Sequence, residues 1–152
     1  MKKRLPMALA ITLGLIAAAT VVLVLQSRTR VPVGLEAGRL QPCPAKPNCV
    51  CSQDQGEAAI EPLAAGDLDQ ALDRIVALVE ADGNATVVSR SEGYLHAEWK
   101  TPLLGFRDDV EFLLDREAGL VHVRSASRVG HSDMGANRKR VEAIRAQLAD
   151  AN

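Results

Sequence analysis

A chain of 152 residues, 47% apolar and 24% charged, is long enough for one folded domain with an appendage and too apolar for a disordered one. Its formal net charge of −1 and its four aromatic residues, two of them Phe, leave neither an uncompensated basic face nor a row of stacking platforms, which argues against a nucleic-acid partner. The small net charge hides an asymmetry: residues 53–119 carry fifteen acids against five bases and residues 120–152 three against six, so the two parts are expected to pair with each other.

The first predicted element is apolar throughout. From Leu5 to Leu25 twenty-one residues carry no charge, and a helix of that length reaches about 31 Å, close to the thickness of a bilayer's hydrocarbon core. Residues 5–25 are therefore read as a membrane anchor, with Pro6 in the first turn, where a helix tolerates it. A cleaved signal peptide is the competing reading, since Ala17, Ala18 and Ala19 offer a small-residue cleavage site. Cutting there would leave an apolar, β-branched terminus with no polar stretch before it, so the uncleaved anchor is preferred. Lys2, Lys3 and Arg4 precede the span and Arg28 and Arg30 follow it, a weak bias that puts residues 1–4 in the cytoplasm and the rest outside it, in a bacterial periplasm.

Residues 26–42 contain Pro, Gly and Arg without a sustained period and read as a flexible tether, about 20 to 25 Å end to end. A soluble domain over residues 43–152 follows, opening on PCPAKPNCVCSQ. Outside the cytoplasm a cysteine pair should oxidise. Cys43 and Cys49 enclose a Pro-rich loop that pre-bends the chain, and closing it would contribute about 2 kcal/mol, leaving Cys51 over. A zinc knuckle is the alternative, poorly served by three cysteines with no histidine nearby. The stretch DQGEAAIEPLAAG reads as a surface loop.

DLDQALDRIVALVEADG then places Leu68, Leu72, Ile75, Val76 and Val79 on one helical face, with Asp67 and Gln70 as a capping box and Gly83 as the stop. ATVVSRS, YLHAEWK, FRDDVEFLLD and LVHVRSASRV follow as four strands joined by short turns. A last helix from about Met134 lines up Met134, Val141, Ile144 and Leu148, with Asn137 at the one polar place in that stripe. The order α-β-β-β-β-α predicts an α+β fold, a four-stranded antiparallel meander with two helices packed on one face, preceded by the transmembrane helix.

PCPAKPNCV, YLHAEWKTPLLGFRDDVEF and VHVRSASRVGHSDMGANRKRVEAIR, in that order, resemble the signature segments of the bacterial and plastid family catalogued as domain of unknown function 1499, over about residues 38–149. The resemblance implies that the DDVEF and RSASR segments belong together. It implies no activity and no cofactor. Cys51 stands where a serine is usual in that family, which favours Cys43 and Cys49 as the pair.

Register turns these segments into candidate sites. Pairing Asp115 with Leu120 across a four-residue turn sets Glu111 opposite Arg124, Asp109 opposite Ala126 and Arg107 opposite Arg128. The preceding strand adds His96, Glu98 and Lys100 to this charged face. The simplest reading is a solvated ladder of ion pairs; a surface for a small molecule or protein partner, or a metal set opposed by the interleaved arginines, are the sharper ones. The other face holds Asp108 opposite Ser125 or Ser127, with Asn137 nearby. An Asp on a core face needs a partner, and Arg138 or Arg140 from the helix, or backbone donors of the loop from Gly130 to Gly135, could supply it, making the corner around RVGHSDMGANRKR a clamp. Alternatively the corner is an anion-binding pocket, or carries chemistry through Asp108 with Ser127 or His131.

The candidate ligand-binding residues are therefore Asp108, Asp109, Glu111, Arg124, Ser127, Arg128, Asn137 and Arg138. The expected role is binding of a protein partner or small ligand near the membrane. The runner-up is a small enzyme, hydrolase-like or metal-assisted, using Asp108, Asp109 and Arg124.

Overall fold

The computed structural model describes residues 7–64 and 66–150; residues 1–4 of the expected cytoplasmic end and the first two residues of the expected span lie outside this range. The first element is α1 (Met7–Ser27), a 21-residue helix long and apolar enough to cross a membrane, and Ser27 is its only buried residue. A two-residue hairpin, β1 (Leu35–Glu36) and β2 (Arg39–Leu40), follows. The domain proper then comprises β3 (Cys49–Cys51), β4 (Leu63–Ala64), α2 (Leu68–Ala81), β5 (Ala85–Ser91), β6 (Tyr94–Lys100), β7 (Arg107–Asp115), β8 (Leu120–Ser127) and α3 (Ala136–Asp150).

Strands β5 to β8 form the expected antiparallel meander. The register is the one the four-residue turn dictates, with Asp115 opposite Leu120, Glu111 opposite Arg124 and Asp109 opposite Ala126. The sheet is larger than the meander, however. Six strands take part, because β3 and β4 both pair antiparallel with the outer edge of β8, against Arg124 to Ala126 and against Leu120 and Val121. Between them, Ser52 takes the next position on that edge: its N–H donates to Val123 O at 2.9 Å and its Oγ accepts from Val123 N at 2.9 Å. β4 falls in a stretch read from sequence as a surface loop, and β3 in the cysteine segment, to which no element was assigned. Two or three residues carry no readable period, and their pairing is set by an edge that needs covering.

Both domain helices pack on one face. The core joins Leu72, Ile75 and Val79 of α2 and Val141, Ile144 and Leu148 of α3 to Leu95, Ala97, Trp99, Val110, Phe112, Val121 and Val123 of the sheet. At the start of α2 the Asp67 carboxylate accepts from Asp69 N at 2.9 Å and from the Gln70 side-chain amide at 2.9 Å, whereas a capping box would have the Gln70 side-chain oxygen accept from the Asp67 N–H, so the box closes only in part. α3 begins two residues later than expected. Asp133 caps it, accepting from Gly135 N at 2.9 Å and Asn137 N at 2.7 Å, and Met134 leaves the apolar stripe for solvent, 91% exposed with φ of 54°.

The larger departure concerns residues 26–42, expected to be a free tether. They lie across the other face of the sheet. Ser27 Oγ accepts from Arg107 N at 3.3 Å, Gly34 N donates to Glu111 Oε1 at 2.7 Å, and Leu40, almost fully buried, donates its N–H to Gln53 Oε1 at 2.8 Å. The charged face is thus an inner surface, not a solvated one. Glu111 is 0% and Asp109 2% exposed, and His96, Glu98 and Arg124 are buried with them. Unpaired charges there would be costly, so the segment that shields them comes to rest where their hydrogen bonds are completed.

Candidate functional site

Alternation along β7 sends consecutive carboxylates to opposite sides of the sheet, and the predicted site residues divide accordingly. On the face beneath residues 26–42, Arg128 grips Asp109 with Nε at 2.7 Å and Nη2 at 2.6 Å, and His96 Nε2 lies 2.8 Å from the same carboxylate. Burial would raise the Asp109 carboxyl, but the hydrogen bonds from Arg128 and His96 outweigh it and hold the group below its usual range. Arg128 also reaches Glu98 at 2.9 Å and the carbonyl of Ser27 at 3.2 Å, and Arg107 pairs with Glu98. Glu111 accepts from Arg124 at 2.9 Å, from the Tyr94 hydroxyl at 2.7 Å and from Gly34 N. Burial and the neighbouring Glu111 carboxylate push the Tyr94 hydroxyl far up, so it stays a donor. Every carboxylate here is paired with arginine, and among the described residues no group of three His, Cys, Asp or Glu is arranged to hold a metal ion.

On the helix side, Asp108 is 3% exposed and meets Arg140, with Nη2 at 2.6 Å from Oδ2. Arg140 Nη1 donates to Ser125 Oγ at 2.9 Å and Asn137 Oδ1 at 2.6 Å, and the guanidinium lies 5.6 Å from the centre of the Trp99 ring. Asn137 is fully buried and ties three segments together: Ser125 Oγ donates to its Oδ1 at 2.6 Å, and its Nδ2 donates to Ser127 Oγ at 3.0 Å and to Asn48 O at 2.9 Å. The corner is therefore a clamp of side chains, with Arg140 as the cation that meets Asp108. Arg138 is elsewhere, donating to the carbonyls of Glu57 and Ala59 at 2.9 and 2.8 Å. Asp108 faces the helices while Asp109 and Arg124 face the other way, so the three residues of the enzyme reading do not converge.

Above the clamp lies a cleft that the sequence did not signal. It measures about 580 Å³ and runs between the C-terminal end of α2 and the N-terminal half of α3. Ile75, Leu78, Val79, Ala143 and Ile144 give it apolar walls, Trp99 and Arg140 line one end, and Lys100 and Lys139 also border it. Neither lysine has an ion-pair partner among the described residues. Asp82 accepts from the Trp99 indole N–H at 2.8 Å. Desolvation opposes its ionisation, but donors from Asn84 and Trp99 prevail and keep its carboxyl below the usual value. By spacing alone Trp99 reads as a core residue of β6, and Lys139 and Arg140 of the basic run, which border the cleft, lie far from it in the chain, so no local pattern marks this place.

The Cys43–Cys49 disulfide is formed, with the α-carbons 5.7 Å apart, and Cys51 is free and buried. Burial raises its thiol above the ordinary value.

Together these features define a class: a small α+β domain stapled by one disulfide, carrying an apolar helix at its N-terminal end and a cleft between the two helices that cover its sheet. The model of the protein family of unknown function DUF1499 matches residues 39–148, and the chain belongs to that family. No curated protein matches the chain.

Proposed function

We propose that this is a single-span membrane protein whose domain sits outside the cytoplasm, in the periplasm of a bacterium, and binds an amphipathic anion in the cleft between α2 and α3. The cleft's composition carries the reading. Much of its wall is apolar, and Lys100 and Lys139, without an ion-pair partner among the described residues, border it; its one carboxylate, Asp82, is already held by Trp99 and Asn84, a pattern suited to a hydrocarbon portion with an acidic head. The length and apolarity of α1 support the anchor, and the disulfide supports an oxidising compartment.

Trp99 is the chain's one tryptophan and lines the cleft, so its emission reports occupancy. Titration of the full chain in micelles with palmitate should change that emission saturably. Hexadecanol, with the same chain and no charge, should bind more weakly, and Lys139→Ala should weaken palmitate alone. Absence of any saturable response to either probe would overturn the ligand assignment. The anchor is checked separately: the intact mass of membrane-extracted protein should include residues 5–25, and a mature form beginning near Thr20 in the soluble fraction would identify a cleaved signal peptide instead.

A further inference from the structure

Beyond residue 35, only three large apolar side chains are exposed among the described residues: Leu103 at 91%, Leu104 at 48% and Met134 at 91%. Leu103 and Leu104 belong to the loop between β6 and β7, Met134 to the loop between β8 and α3. These loops leave the same end of the sheet, because Arg128 N donates to Arg107 O at 3.3 Å and Asp108 pairs with both Ser127 and Trp99. That end is also where α1 stops. Ser27 accepts from Arg107 N and from the Arg128 guanidinium, and α1 has no other buried residue, so it departs from the domain there.

The two ends of the sheet differ in character. At the far end the β5–β6 and β7–β8 turns and the start of α2 present Glu92, Arg116, Glu117, Asp67 and Asp69, and no exposed large apolar side chain. At the near end the apolar trio is accompanied by Lys100 and Lys139, with Arg28 and Arg30 just past α1. Met134 adds an independent oddity. It is a non-glycine residue held at positive φ with its side chain in solvent, an arrangement uncommon without a functional reason.

We propose that these two loops are a second membrane contact. Leu103, Leu104 and Met134 enter the interface of the bilayer that holds α1, and the nearby cations meet acidic headgroups. The domain then stands on the membrane by its anchor and both loops, with the Thr101, Pro102 and Lys139 side of the cleft at headgroup depth. This contact rests on the reading of α1 as a membrane span, and it makes the bilayer the source from which the cleft draws its ligand.

Nitroxide labels test it on the full chain. Cys51 is the only thiol outside the disulfide and is fully buried, so L103C, M134C and E92C can each be labelled selectively. In proteoliposomes of phosphatidylcholine with phosphatidylglycerol, the labels at L103C and M134C should relax preferentially with oxygen, and the E92C label preferentially with a water-soluble nickel chelate. Equal access of the chelate to all three sites, in protein that resists alkaline extraction, overturns the loop contact and leaves the anchor standing. Release of the chain by alkaline extraction overturns both.

Discussion

Replacing Asp108 by Asn keeps the side chain's shape and removes its charge beneath Arg140. The contact is short, 2.6 Å, and nearly dry on the Asp108 side. A hydrogen bond to a charged group contributes about 1.5 to 3 kcal/mol and a neutral one about 0.5 to 1.5. Arg140 would also lose its counter-charge while still held against Ser125, Asn137 and Trp99. Together these set the loss at about 2 to 3 kcal/mol. At roughly 4 °C per kcal/mol for a domain of this size, Tm should fall by about 8 to 12 °C. Arg140→Gln leaves Asp108 as the unpaired partner, so the double variant should be less destabilised than the sum of the singles, with a coupling of about 1.5 kcal/mol. Arg138→Gln, which touches only the Glu57 and Ala59 carbonyls, should show no coupling to Asp108→Asn. Thermal melts of the full chain in micelles, followed by circular dichroism, measure all four quantities. A shift within 2 °C for Asp108→Asn, roughly that of a neutral surface change, or coupling through Arg138 as strong as through Arg140, would refute the clamp.

Three further outcomes are expected. Because the folded Asp109 carboxyl titrates below its usual value, the folded chain binds that proton less readily than the unfolded one. The stabilisation is therefore complete above the unfolded value of about 4 and is lost as pH falls below it, and Asp109→Asn should flatten the decline in Tm between pH 5 and pH 3. Glu111→Gln weakens the acceptor shared by Gly34 N, the Tyr94 hydroxyl and Arg124, so residues 28–40 should loosen from the sheet and trypsin should cut faster after Arg28, Arg30 and Arg39, whereas unchanged cleavage rates would show that the shield does not depend on Glu111. Without reductant the native chain should resist alkylation, one thiol should appear on denaturation and three after reduction, as counted by mass.

Much of the architecture was legible because it depends on short-range periodicity. The apolar run of α1, the helical stripe of α2 and the alternation of β5 to β8 are each written in a dozen or so consecutive residues. One turn length then fixed the register of β7 on β8, and with it which side chains face together. The same alternation placed Asp108 on the core face and made some partner necessary, an arginine of the last helix or the backbone donors of the loop before it. The choice between Arg138 and Arg140 was not available from sequence. Two residues on a helix differ by about 200° in direction, and only the packing of α3 on β8 points the second one at Asp108.

What the sequence determined by itself is therefore the local grammar: the anchor-like helix, the meander, its charged and apolar faces, and a Pro-rich cysteine loop suited to closure. What tertiary structure decided is everything that depends on segments distant in the chain. Residues 26–42 carry no period, so nothing local predicts that they lie on the charged face; they do so because buried Asp109 and Glu111 and the enclosed side chain of Arg128 need the exclusion of water and the donors and acceptors of Ser27 and Gly34 to complete their bonding. β3 and β4 exist because β8 has an open edge. The cleft exists because α2 and α3 leave a space between them at Trp99, a matter of how two apolar stripes meet and not of either stripe alone.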